Sequence, residues 1–380
     1  MADLFSVTYS DARARFLEAC LAAGANAECH SHPLSGPSGE RLACDVAWIG
    51  PRDAPEVAVV VSGTHGAEGY AGSAIQTGLL LEPGAAGRGA VQALLLVHAL
   101  NPYGFAWMRR VNEDNIDLNR NFVRHAEGDY PENDLFDEIA PHVIPETWDE
   151  PALARNAAAL ERLAEEHGAD TVRKSLKKGQ YRHPENVHYG GRAPAWSNLV
   201  LQEICARWLD RAERALMIDV HTGLGPHGYG ELMTPAKPGE PVFERLHAVW
   251  GDEVHSTTAG PSAYAGSKGS ILAGFRPGRA GLGFAAVGLE YGTRPTEVVR
   301  RAVDADTWLH AKGDLDSPLG RQIKRDLRDA FYPEEDAWKA AVWERGHEVV
   351  ARAFAGLAAA GAGERQRADA SATPDRETQG

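Results

Sequence analysis

His65 and Glu68 stand three residues apart in Ser62-Gly-Thr-His-Gly-Ala-Glu-Gly69, directly after the apolar run Val57-Ala-Val-Val-Val61. An imidazole nitrogen and a carboxylate oxygen at that spacing can close on one metal ion. The pair alone also fits a surface turn that happens to hold both residues. A second apolar run, Met217-Ile-Asp-Val220, delivers His221 at its end. Two histidines and a glutamate form a catalytic zinc set with a fourth position left for water or substrate. A strand-end imidazole bonded to a backbone carbonyl is the alternative for His221. Asp219 shares the strand face of His221 and suits orienting a ligand imidazole through its other nitrogen; a cap or salt bridge would use it equally. Glu290 closes a third run, Phe284-Ala-Ala-Val-Gly-Leu289. Water activated by a metal attacks an amide well only when a base takes its proton and returns it to the leaving nitrogen. Glu290 is the carboxylate for that work, unless it merely bonds a neighbouring turn.

These residues need strands that end together. A strand stopping in a glycine turn presents its next side chains at the carboxyl edge of a sheet, where open α/β folds keep their sites. The chain supplies such elements in order. Ser10 can cap a helix to Ala23, and Leu42 to Trp48 alternates as a strand. Residues 72–81 have helical spacing, and 91–98 form a buried strand, so strand, helix and strand alternate as in a mostly parallel sheet. From Arg124 to Gly191 the character changes: charged helical patterns at 131–142 and 149–167 lead into a basic, aromatic stretch, Lys174 to Arg192. This stretch reads as an insertion overhanging the site. Beyond it come a helix at 196–209, strands at 215–220, 230–233 and 281–290, a short helix at 243–250, and helices to about 360.

Between the first two runs lies Arg109-Arg-Val-Asn-Glu-Asp-Asn-Ile-Asp-Leu-Asn-Arg-Asn-Phe122, preceded by Asn101-Pro-Tyr-Gly104. Arg120 and Asn119 present a planar fork and an amide that suit a carboxylate held bidentately. Taken with HxxE and Asp-Val-His221, these motifs resemble the zinc carboxypeptidase superfamily (M14-like), including its aspartoacylase and succinylglutamate desuccinylase relatives. The wording is closest to an uncharacterised DUF2817-type branch, over residues 55–295. The resemblance implies that Asn119 and Arg120 bind a substrate carboxylate and that Arg109 or Arg110 holds the oxyanion, Arg110 being preferred for catalysis and Arg109 kept as a substrate-binding residue. It also implies that Glu290 is the catalytic glutamate and that Tyr264 corresponds to a mobile substrate-contacting tyrosine. The glycine-bearing loop 261–275 is then a candidate lid. Tyr181, His183, His188 and Tyr189 can line the pocket or face solvent.

Composition bounds the rest. The 380 residues are 43% hydrophobic and 24% charged, which suits a globular chain with ample core. A formal charge of -14 argues against nucleic acid or an anionic membrane as partner. Cys20, Cys29, Cys44 and Cys205 show no paired spacing and read as buried, reduced thiols of a cytoplasmic protein. No signal peptide or membrane span is evident.

The expectation is therefore an α/β fold: a mixed, mostly parallel sheet of about eight strands flanked by helices, carboxypeptidase-like. Residues 1–360 would form one catalytic domain with the 124–195 insertion near the active site, and 361–380 a disordered tail. Its activity would be hydrolysis, dependent on one zinc ion, of an amide bond in a small-molecule or short-peptide substrate with a free carboxylate. The alternatives are a carboxypeptidase removing C-terminal residues and a catalytically silent carboxylate-binding protein on the same fold.

Overall fold

The structure, a computed structural model, describes residues 4–82, 91–259 and 268–372. Chain order runs α1 (Tyr9–Ala22), β1 (Ala27–Ser35), β2 (Arg41–Ile49), β3 (Glu56–Val61), α2 (Gly69–Leu81), β4 (Gln92–His98) and α3 (Pro102–Ala106). The inserted stretch holds α4 (Leu135–Ile139), α5 (Glu150–His167) and α6 (Ala169–Lys178). Then follow α7 (Trp196–Trp208), β5 (Arg214–His227), β6 (Gly230–Thr234), α8 (Pro241–Trp250), β7 (Val254–Ser256), α9 (Ile271–Gly274) and β8 (Gly283–Gly292). Three helices close the chain: α10 (Thr296–Lys312), α11 (Pro318–Phe331) and α12 (Asp336–Ala372).

One eight-stranded sheet has the order β1-β2-β4-β3-β5-β8-β6-β7. Its centre, β4-β3-β5-β8, is parallel throughout, while β1-β2, β2-β4 and β6-β8 pair antiparallel. Every residue of β3 is buried, as a strand covered on both faces requires. Alternate side chains divide between two cores. Ala58, Val60, Leu216, Ile218 and Val287 pack with α1, α2, α8 and α12 on one face. Val57, Val59, Val61, Met217 and Ala286 pack with α7 on the other.

The inserted helices have an apolar cluster of their own. Phe136, Ile139, Val143 and Val172 pack there against Trp308 and Leu309 of α10 and Ile323 of α11. The insertion is thereby seated on the C-terminal helices.

Several elements differ from the sequence reading. β1 has no apolar alternation because it is an edge strand, exposed along most of its length. α6 hid in a basic stretch because only Val172 and Ser175 of it are buried. β5 runs past the expected stop at 220, since its pairing with β8 continues through Thr222 and resumes at His227 after an irregularity. α12 continues to Ala372, past the boundary at 360 where a tail was expected. All four cysteines are free, and Cys29 is exposed rather than buried. No helix among the described residues is long and apolar enough to cross a membrane.

Candidate metal centre

β3, β5 and β8 are neighbours, and their carboxyl ends bring three sequence-distant residues together. After β3 the chain turns at Gly63, whose φ of 69° suits glycine, and enters the turn holding His65 and Glu68. Gly66 is required there by close approach: a Cβ would lie 1.9 Å from the Gly104 carbonyl carbon of α3. His221 and Glu290 are register partners across the parallel pair β5-β8, so their side chains leave the same face side by side.

The donor atoms of His65, Glu68 and His221 lie within 4.8 Å of one another, all in buried residues. His65 Nδ1 is 2.9 Å from Glu68 Oε1, and His221 Nδ1 is 2.8 Å from Glu68 Oε2. Each ring's other nitrogen meets a buried carboxylate: His65 Nε2 lies 3.0 Å from Asp117 Oδ1, and His221 Nε2 2.7 Å from Asp219 Oδ2. Thr64 donates to the second oxygen of Asp219 at 2.7 Å. Carboxylates opposite both Nε2 atoms can hold the protons there, which would leave both Nδ1 lone pairs for a cation held beside Glu68. The donor set therefore fits zinc.

The field at this edge is anionic. Burial opposes ionisation of Glu68, yet His65 and His221 outweigh it and hold the carboxyl well below the usual carboxylate range. Asp117 is likewise held low against its burial, chiefly by Arg110, Arg120 and His65. Burial disfavours charge on His221, but Asp219 and Glu68 raise it well above an ordinary histidine. Glu290 goes the other way: burial and the negative Glu68 push it up to about 8. Its Oε1 accepts the Leu224 N–H at 3.0 Å, which fixes the carboxyl group.

The two candidate arginines separate. Arg110 donates to Glu68 Oε1 at 2.9 Å and reaches Asp117 Oδ2 at 3.5 Å, so it stands at the cluster. Arg109, expected to touch substrate, turns away and is bonded to Asp306 and Asn115. The turn in the chain explains the split: the carbonyls of Arg109 and Arg110 accept the N–H groups of Ala67 and Gly66, which sends consecutive side chains to opposite sides.

Asn119 approaches His221 Nε2 at 3.5 Å, and its Oδ1 accepts the Ile271 N–H. Arg120 is buried beside it, its terminal nitrogens donating to the carbonyls of Asn119 and Lys177 at 2.8 and 2.7 Å. Its Nε has no hydrogen-bond partner, and it makes no ion pair with any described residue. Tyr264 and residues 261–267 of the candidate lid lie outside the described residues; within 268–275, Gly269 accepts the Phe122 N–H. Of the softer candidates, Tyr181 donates to the Arg120 carbonyl and His183 pairs with Asp137. Tyr189 has its carbonyl on the Asp117 N–H. His188 meets Asp117 Oδ2 at 3.2 Å, and burial pushes its pKa down to about 4. The role of Asp117 beneath His65 was not drawn from the sequence, although its place in Asp117-Leu-Asn-Arg120 was a usable signal.

Solved structures with a similar fold include carboxypeptidases and a succinylglutamate desuccinylase. Carboxypeptidase A from Helicoverpa armigera is 12% identical, covering 87% of this chain and 75% of its own, with a TM-score of 0.41. A metallo-carboxypeptidase from Pseudomonas aeruginosa, in complex with (2-guanidinoethylmercapto)succinic acid, is 15% identical over 88% of this chain and 68% of its own, at 0.39. Succinylglutamate desuccinylase from Chromobacterium violaceum is 16% identical over 84% and 74%, at 0.35. No protein of curated function matches the sequence significantly. The chain belongs to the DUF2817 family, described as a protein of unknown function, whose pattern matches residues 5–345.

Proposed function

We propose that this protein is a zinc-dependent hydrolase that cleaves an amide bond in a small substrate carrying a free carboxylate, such as an N-acyl amino acid or short peptide. The observation that carries the reading is the convergence of His65, Glu68 and His221 within 4.8 Å. Those three residues would hold the ion. Zinc supplies Lewis acidity toward a carbonyl and lowers the pKa of a water.

The chain's own groups supply the rest. Glu290 is buried and held at about 8 without a cation; a positive charge at the ligand set favours its ionised form, which can take a proton from water. It can return that proton to the departing nitrogen. Arg110, with its NH1 already beside Glu68, can offer donors to the carbonyl oxygen as negative charge develops there. Arg120 supports the carboxylate part of the reading. A buried guanidinium bonded to carbonyls alone is poorly compensated, and an anionic ligand group would match it.

Glu290→Gln tests the chemistry. The amide keeps size and shape but takes no proton, so turnover of any substrate found among N-acyl amino acids and dipeptides should fall by about 10²- to 10⁴-fold. Zinc content should stay unchanged. Turnover near that of the parent would assign the base elsewhere.

A further inference from the structure

The stretch expected to overhang the site is instead bonded along the loop beneath it. Asn115 donates its amide to the carbonyls of Pro184 and Asn186, both at 2.9 Å. The Asp117 N–H donates to the Tyr189 carbonyl at 2.8 Å. Arg120 donates to Lys177, Tyr181 donates back to Arg120, and Asn121 donates to Gly190 and Ala193. The approach is close enough that a Cβ on Gly179 would lie 2.4 Å from the Arg120 side chain. Residues 177–193 therefore grip the loop that carries Asp117.

Within that grip His188 makes the contact nearest the ligands. Asp117 Oδ1 faces His65 Nε2 at 3.0 Å and accepts the Asn119 N–H at 2.9 Å. Its Oδ2 faces His188 Nδ1 at 3.2 Å and Arg110 at 3.5 Å. Arg110 also serves Glu68, so His188 is the partner that Oδ2 does not share with a candidate ligand. The residue keeps a left-handed backbone, φ 55°, a conformation that few residues besides glycine, asparagine, aspartate and histidine adopt. Its carbonyl accepts the Gln180 N–H at 3.1 Å, which fixes the ring's origin.

We propose that His188 is a positioning residue for the metal centre: its Nδ1 holds Asp117 so that Oδ1 stays on His65 Nε2 and the His65 Nδ1 lone pair stays aimed at the cation. This rests on the zinc reading and gives the inserted stretch a role in building the centre. A carboxylate with one oxygen released can rotate, and the imidazole it orients loses its fixed direction.

Two amides distinguish the ring's nitrogens. Asparagine places its amide nitrogen near the position of Nδ1 and tolerates the left-handed backbone, whereas glutamine places its amide nitrogen near Nε2. Zinc affinity of the purified full chain, measured by competition with a chromophoric chelator, should weaken about tenfold in His188→Ala and His188→Gln and stay within about threefold of the parent in His188→Asn. Melting of the metal-free variants, read alongside, shows that each is folded. Parent-like affinity in a folded His188→Ala overturns the proposal, as does rescue by glutamine and not by asparagine. If His65→Ala loses zinc while His188→Ala keeps it, only the His188 role fails. A parent protein that takes up no zinc overturns the zinc reading and this proposal together.

Discussion

Two clusters of buried charge flank the Arg109–Arg110 peptide, and they are balanced differently. On one side Asp306 takes Lys324 at 2.5 Å and Arg109 at 3.3 Å. Lys324 also donates to the carbonyls of Trp107 and Met108 and approaches His310 Nε2 at 2.7 Å. Arg109 finishes on Asn115. Every charge there has its partners within the protein, and the cluster pins a loop whose Met108 sits at φ 48°. On the other side, Glu68, Asp117, Asp219 and Glu290 are all buried around Arg110 and two imidazoles. There Glu68 is shared by two imidazoles and Arg110, and donor atoms of His65, Glu68 and His221 converge within 4.8 Å, a ligand set that the first cluster does not offer. Residue type does not separate the two clusters; the convergence of donor atoms on one point does.

The largest effect tests the closed cluster. Asp306→Asn would leave the buried Arg109 and the partly buried Lys324 facing each other, and removing one partner of a buried pair costs about 3–5 kcal/mol. Denaturant unfolding should show a loss of that order while zinc content is retained. A loss of a few tenths of a kcal/mol would mean that the cluster is well solvated and the contrast is wrong.

Arg120 sharpens the comparison from the opposite sign, as a buried cation that makes no direct ion pair among the described residues. If a substrate carboxylate is its match, amidating that carboxylate should cost about 2–5 kcal/mol in apparent transition-state binding. Arg120→Ala should erase most of the difference. Equal turnover of acid and amide would remove the carboxylate from the substrate class and leave the hydrolase reading standing.

A smaller effect follows from His310. Burial pushes its pKa down to about 3, below the ordinary value of about 6.5. The unfolded chain therefore binds more protons between those values, and stability rises with pH across that window. The contribution is fully present above about pH 6.5 and is lost as pH falls toward 3. His310→Gln should flatten that part of the profile, checked by urea unfolding from pH 7 to 4. An unchanged slope would show that His310 is not held neutral in the closed cluster.

What the sequence disclosed follows from where its information is local. His65, His221 and Glu290 each end an apolar run, and a parallel sheet brings the ends of such runs to one edge, so the centre was legible before the strand order was known. Asp219 was legible for the same reason, two residues from His221 on one strand. Arg109 and Arg110 were not separable, because their opposite directions depend on backbone bonds to Gly66 and Ala67, distant in sequence. His188 was legible only as a polar loop residue, since its meaning comes from Asp117 across a nonlocal contact. Edge strand β1 and surface helix α6 bury too little to leave a periodic pattern.

Metal analysis tests the central claim most directly. The parent, His65→Ala and His221→Ala proteins would be loaded with zinc, dialysed against metal-free buffer and assayed by elemental analysis beside protein concentration. The parent should retain about one zinc per chain, and each variant, left with two protein ligands, should retain far less. Stoichiometric zinc held as tightly in either variant as in the parent, or none in the parent, would contradict a metal centre built on His65, Glu68 and His221.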